Sequence, residues 1–203
     1  MKSASSAKAA TNRFERRRGR TRRELLAAAT TVLAEKGFHD TKISDIAAAA
    51  DVGVGTFYLH FPDKETLFDA VVDETVTRLK ATIDAARQAE TSPIAAVRAS
   101  NVAFFRFAHE NREVFKIVFG HAAAYNDLIR RAQALFIADV EETIREGIAC
   151  GAFAPLPPAV VAQAIIGMAT QTLSWWTEHE SVPIETLIET TTTLALRGMA
   201  PAA

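Results

Sequence analysis

The sequence predicts an all-α protein, and three observations carry that prediction. Apolar residues recur at three- and four-residue intervals from Leu25 to Ala195, and no stretch alternates apolar with polar as a half-buried strand would. Residues 41–65 hold two short helical segments around a tight turn. Breakers stand between the periodic runs: Gly37, Pro62, Ser92-Pro93, Gly120, the prolines 155, 157 and 158, and Pro183.

Residues 1–19 are rich in Ser, Ala and Arg without periodicity, and read as a flexible basic arm. Thr21 and Glu24 then form a capping box ahead of a stripe, Leu25, Ala29, Val32 and Leu33, that stops at Gly37. Thr41 is placed to cap a short helix with Ile43, Ile46, Ala47 and Ala50 inward and Asp45 near its positive end. Asp51-Val52-Gly53 reads as the turn, with Val52 plugging the angle between helices and Gly53 supplying backbone freedom. A second short helix follows from about Val54 to His60; Pro62 ends it and Asp63 caps the next. That next helix carries Leu67, Phe68, Val71, Val72, Val76, Leu79 and Ile83 and runs to about Glu90, a lever of roughly 40 Å.

Beyond Pro93 the pattern stays helical. One helix runs to about Glu110, a short one from Asn111 to Gly120, and a long amphipathic one from Ala122 to about Cys150. After a Gly151–Pro158 loop come a nearly uncharged helix to Glu178 and a last one from Pro183 to Gly198, making about nine in all.

Composition narrows the class. Apolar residues make up 49% and charged residues 23%, an ordinary globular balance. The net charge of −1 conceals an asymmetry: residues 1–23 carry a net +8, leaving −9 on the rest. A basic tail on an acidic body suits an arm drawn to phosphates. Cys150 is the only cysteine, which excludes an intrachain disulfide or a thiolate zinc site. His39, His60, His109, His121 and His179 show no metal-ligand spacing, so no metal and no cofactor are expected. The polar, basic N-terminus shows no secretory signal, and the uncharged run Gly147–Thr177 is broken by prolines, so a cytoplasmic protein without a membrane span is expected.

The second short helix is too short to stand alone, yet carries Thr56, Tyr58 and His60 among apolar neighbours, so its polar side is expected to meet DNA. Lys64, beside free N–H groups in the first turn of the next helix, reads as a phosphate clamp. The run Thr41, Ile46-Ala47, Ala50-Asp51-Val52-Gly53, Gly55-Thr56-Phe57-Tyr58-Leu59-His60-Phe61 and Lys64-Glu65 resembles the DNA-binding signature of the tetracycline-repressor (TetR) family. Asp51 stands where that family commonly has a turn glycine, and Gly53 where it has a capping serine. The resemblance implies DNA contacts from Thr41, Lys42, Gly53, Val54, Gly55, Thr56, Tyr58, His60 and Lys64. It also implies three domains: the arm at 1–19, a DNA-binding domain at 20–80 with its helix-turn-helix at about 42–61, and a ligand-binding and dimerisation domain at 81–203.

In that last domain the aromatic density suggests a pocket lined by Phe104, Phe105, Phe107, Phe115, Phe119, His121, Tyr125, Met168, Gln171 and Trp175, for a small apolar or aromatic effector. The last two long helices offer apolar stripes to a twofold mate through Val161, Ile165, Met168, Ile184, Leu187, Ile188, Thr191 and Leu194. The expected partners are therefore a pseudo-palindromic DNA operator, a small molecule and a second copy of the chain. The expected function is a sequence-specific transcriptional regulator, a repressor released by its effector. A ligand-independent helix-turn-helix protein is the first alternative. An all-helical enzyme is the second, but no nucleophile, base and orienting group stand at readable spacing.

Overall fold

The computed structural model describes the backbone of residues 2–120, 122–179 and 181–201, and side chains at 15–119, 127, 129–179 and 181–201. Every described element is an α-helix, and no strand occurs among the described residues. Two compact units divide the chain, Met1–Glu74 and Thr75–Ala203.

In the first unit, α1 spans Lys2–Asp40. The basic stretch expected as an irregular arm is therefore helical, and Thr21 lies inside a helix instead of capping one. Its alanines, arginines and lysines are strong helix formers, which local polarity alone does not reveal. Gly37 interrupts α1 with φ 76° and ψ 168°, a conformation closed to residues with a Cβ, and this explains why the apolar stripe stops there. The helices α2 (Ile43–Ala49), α3 (Val54–Tyr58) and the start of α4 (Lys64–Gln88) complete the unit. Leu25, Ala29 and Leu33 of α1, Ile46 of α2, Phe57 and Phe61 around α3, and Leu67 and Phe68 of α4 are all buried. Each buried Leu, Ile or Phe contributes about 1.5–3 kcal/mol, enough to hold an α3 of one and a half turns that could not persist in isolation.

The turn between α2 and α3 differs from expectation in one respect. Gly53 has an ordinary extended conformation, φ −71° and ψ 149°, and the left-handed residue is Asp51 at φ 53°. Aspartate tolerates that region better than most residues, so it replaces the turn glycine at modest strain. Asp63 caps α4 as expected, accepting the Thr66 N–H at 2.7 Å. Hydrogen bonding from the Thr66 side chain first, and then from its backbone N–H, holds the Asp63 carboxyl below its usual range.

The second unit holds the rest of α4 with α5 (Pro93–Glu110), α6 (Arg112–Gly120), α7 (Ala122–Ala149), α8 (Pro158–Trp176) and α9 (Ile184–Gly198). Ser92 caps α5 by accepting the Ala95 N–H at 3.2 Å, with Pro93 in the first turn. One core cluster joins Phe105 and Ala108 of α5, Leu173 and Trp176 of α8, and Ile184, Leu187 and Ile188 of α9. A second joins Val97, Ile144, Phe153 and Met199. Asn101 of α5 donates to the hydroxyls of Thr191 and Thr192 at 2.8 Å each, satisfying an amide that would otherwise be costly at this depth. Gly147 is required by packing, since a Cβ there would overlap the Phe153 ring. Lys80 of α4 lies 2.6 Å from both Asp84 and Asp139, tying this helix to α7. Burial alone would lower the Lys80 pKa, but the bonds from Asp139 and Asp84 outweigh it and raise it. No helix among the described residues is long and apolar enough to cross a membrane.

Candidate functional site

α3 begins at Gly53, whose carbonyl accepts the Thr56 N–H at 2.8 Å but which has no side chain to bond the helix end. Phe57 is fully buried and anchors the helix, while Val54, Tyr58 and Leu59 are 43%, 54% and 73% exposed. Three large side chains are thus exposed within six residues. Tyr58 packs edge-on against Phe57 at 5.5 Å, which holds its ring, and the residue is exposed. Gly55 is exposed and open around its Cα, and Thr56 is half-buried on the same helix. The helix itself ends at Tyr58, two residues before the expected His60. His60 is half-buried; burial first, then the charges of Arg18 and Arg22, push its pKa down, so the imidazole is neutral near pH 7.

Two expected DNA contacts are spent inside the unit. Thr41 is 2% exposed, and its hydroxyl donates 2.7 Å to the Gly37 carbonyl, closing the bend at the end of α1. Lys64 donates to the carbonyl of Phe38, to that of Thr41 at 2.8 Å and to that of His39 at 3.5 Å, with its ammonium 4.5 Å from the Phe38 ring centroid. These bonds staple Lys64 to the α1–α2 junction within the unit. The carbonyl-rich end of α1 is a negative pole that attracts this cation from within the chain. Lys42, by contrast, is exposed; its backbone N–H donates to Asp45 Oδ2 at 3.1 Å while its ammonium points away from the core. That bond and the Lys36 ammonium 3.1 Å away lower the Asp45 pKa. Sequence reasoning missed Arg22, whose guanidinium lies 4.9 Å over the Phe61 ring and so beside α3. The Arg18–Arg22 spacing of one helical turn was the available signal.

The second unit contains an open groove of about 1010 Å³ between α4 and α5. Alanines, Val102 and Phe107 line it, with Arg78, Arg98, Arg106, Glu90 and Glu110 around them. Of the expected pocket residues only Phe107 lies here. Phe105 is fully buried in the core, and Phe104, Phe115 and Phe119 pack against it. Trp175 is 44% exposed and stacks on His179 at 4.4 Å, while Gln171 is exposed and Met168 half-buried. His121 and Tyr125 lie outside the described residues.

The expected interface residues also divide. Ile184, Leu187, Ile188 and Thr191 are between 2% and 9% exposed and hold α9 against its own bundle, so they are core and cannot meet a partner. Val161 and Ile165 pack beside the second core cluster. Leu194 stays 58% exposed, and α8 presents Val160 at 65% and Trp175 at 44%.

Residues 25–71 match the model of the bacterial regulatory proteins, tetR family, and residues 90–199 match the tetracyclin repressor-like C-terminal domain. The chain belongs to the TetR family. It is thus a DNA-binding transcriptional regulator, with a helix-turn-helix in its first unit and the family's ligand-binding type of domain in its second. It is 25% identical over 168 residues to the uncharacterized HTH-type transcriptional regulator YhgD of Bacillus subtilis (strain 168), covering 80% of this chain and 88% of that protein. The fold matches the fatty acid degradation regulator FadR from Bacillus halodurans with a TM-score of 0.78, at 22% identity over 86% of this TetR chain and 94% of the other. FadR from Bacillus subtilis, solved in complex with stearoyl-CoA, matches with a TM-score of 0.76 at 19% identity, covering 87% and 98%.

Proposed function

We propose that this TetR-family regulator is a dimeric repressor that reads a pseudo-palindromic operator through α3 and leaves it when an effector occupies the second unit. The observation that carries this reading is the exposure of Val54 and Tyr58 on α3, and of Leu59 at its C-cap, with the helix held by buried Phe57. Val54 suits apolar contact with a thymine methyl, Thr56 a base edge, and the Tyr58 hydroxyl a phosphate. Gly53 and Gly55 permit close backbone approach, and Lys42 with the basic helix of residues 2–23 supplies phosphate contacts. His60 serves as a neutral packing residue at the end of α3.

The division of labour follows the expected domains, with residues 20–80 reading DNA and 81–203 sensing and dimerising. Exposed Val160 and Trp175 of α8 and Leu194 of α9 form the face proposed for the mate. Half-sites one turn apart require recognition helices about 34 Å apart. An effector that alters α4 would change this spacing, so ligand and DNA compete through conformation. Stearoyl-CoA bound by a structural neighbour supports an acyl-bearing effector for this chain.

Selection of binding sites from random duplex DNA with the full-length protein tests the reading. An enriched inverted repeat, lost in Tyr58→Ala and Val54→Ala variants, is the expected result. Binding without sequence enrichment would refute it.

A further inference from the structure

We propose that the α4–α5 groove seats an acidic amphiphile, a ligand with an elongated apolar chain and an anionic head, and that Arg98 and Arg106 select the head. This rests on the effector-sensing reading above and assigns it a place and a chemistry. The facing walls are alanine: Ala81 and Ala86 on α4 with Ala89 just past its end, and Ala95, Ala99 and Ala103 on α5. Methyl groups are too short to interdigitate across the gap, so the helices leave about 1010 Å³ open where a packed interface would leave none. With Val102 and Phe107 beside them, these walls form an apolar trough of a size suited to a single small molecule.

The charges around the trough decide the kind of molecule. Arg98 and Arg106 stand on one stripe of α5, two turns and about 12 Å apart. Arg78 comes from α4, with its guanidinium 5.6 Å from the Phe107 ring centroid. Among the described residues neither Arg98 nor Arg106 has a carboxylate within ion-pair distance, although Glu110 lies one turn from Arg106. Guanidinium forks match carboxylates and phosphates, and both remain available to a ligand. A neutral apolar molecule would cover the alanines and leave these forks unused. An acidic head engages them while its chain lies along the trough. A single carboxylate reaches one fork; a head with several phosphates spans both. One wall belongs to α4, which begins at Lys64, so a molecule seated here touches the element that continues into the first unit.

The test is calorimetric titration and thermal unfolding of the full-length protein with lauroyl-CoA, laurate and methyl laurate, each below its micelle concentration. Wild type is compared with R98Q/R106Q. Both positions are exposed, so the variant should melt with wild type when free; if it does not, R98Q and R106Q are read singly. The acidic probes should bind wild type roughly tenfold or more tightly than methyl laurate, and the variant should lose that preference while keeping its affinity for the ester. The ratio of lauroyl-CoA to laurate affinity tells a phosphate head from a carboxylate. Equal binding of acidic and neutral probes by wild type, or a preference that survives R98Q/R106Q, would overturn the proposal. If neutral compounds release DNA from both proteins alike, the groove assignment falls and effector sensing stands. If no acidic probe binds, the groove assignment also falls; effector sensing falls only when a broad apolar panel leaves the DNA complex intact as well.

Discussion

Replacing Lys64 with methionine separates a structural role from a DNA contact. The substitution keeps most of the apolar stem over the Phe38 ring but removes the donor to the carbonyls of Phe38 and Thr41 and the longer bond to His39. A hydrogen bond to a charged group is worth about 1.5–3 kcal/mol. Two good bonds in a half-exposed setting, discounted for solvent, amount to roughly 2–3 kcal/mol together. Loss of the cation–π contact adds about 0.5 kcal/mol. For a unit of this size each kcal/mol shifts the midpoint by about 4–8 °C, so the first unit should melt on the order of 10–20 °C lower. Circular dichroism melts and urea titrations measure this directly. At a temperature where the variant is folded, the slope of log K for DNA against log salt should match wild type. A phosphate contact would instead flatten that slope by about 0.9. A flattened slope with an unchanged melt would refute the staple and restore the clamp.

Three further outcomes follow from the geometry. Gly53→Ser has open space for its side chain and supplies a hydroxyl at the start of α3, so the unit should gain a few tenths of a kcal/mol in urea titrations, and DNA affinity should rise if the hydroxyl also reaches a phosphate. Leu187→Asp buries an unpaired charge in the chain's own core and should destabilise the second unit by about 4 kcal/mol or more, whereas Leu194→Asp should leave the melt in place and weaken the dimer; sedimentation of both variants tells core from interface. The His60 pKa is lowered on folding, so its contribution to stability is present above about pH 6.5 and is lost as pH falls through the folded value; His60→Gln should flatten the pH dependence of the first unit's melt in that range, and an unchanged profile would assign it to other groups.

Much of the first unit was legible because its rules are local. The stop at Gly37, the cap at Asp63 and the helix-turn-helix order each depend on residues within a turn or two. The turn shows where local reasoning slipped. Two candidates for the left-handed position stand two residues apart, and the glycine drew the assignment although Asp51 adopts the conformation. Missed altogether was the groove: alanine and arginine at helical spacing on two separate helices describe a cavity only when those helices face each other with a gap between them.

The sequence by itself determined the order of the helices from α2 to α9 and the exposure of Tyr58 on α3, because periodicity, caps and breakers act over a few residues; the helicity of residues 2–20 and the half-burial of Thr56 and His60 did not show in it. Only the tertiary structure decided where Lys64 places its protons, since its carbonyl partners lie 23 to 26 residues away in the chain. It also decided that Leu187 and Ile188 are core while Leu194, on the same helix, remains exposed. A core and an interface both call for apolar side chains at the same spacing, and which one a residue serves depends on what folds against it.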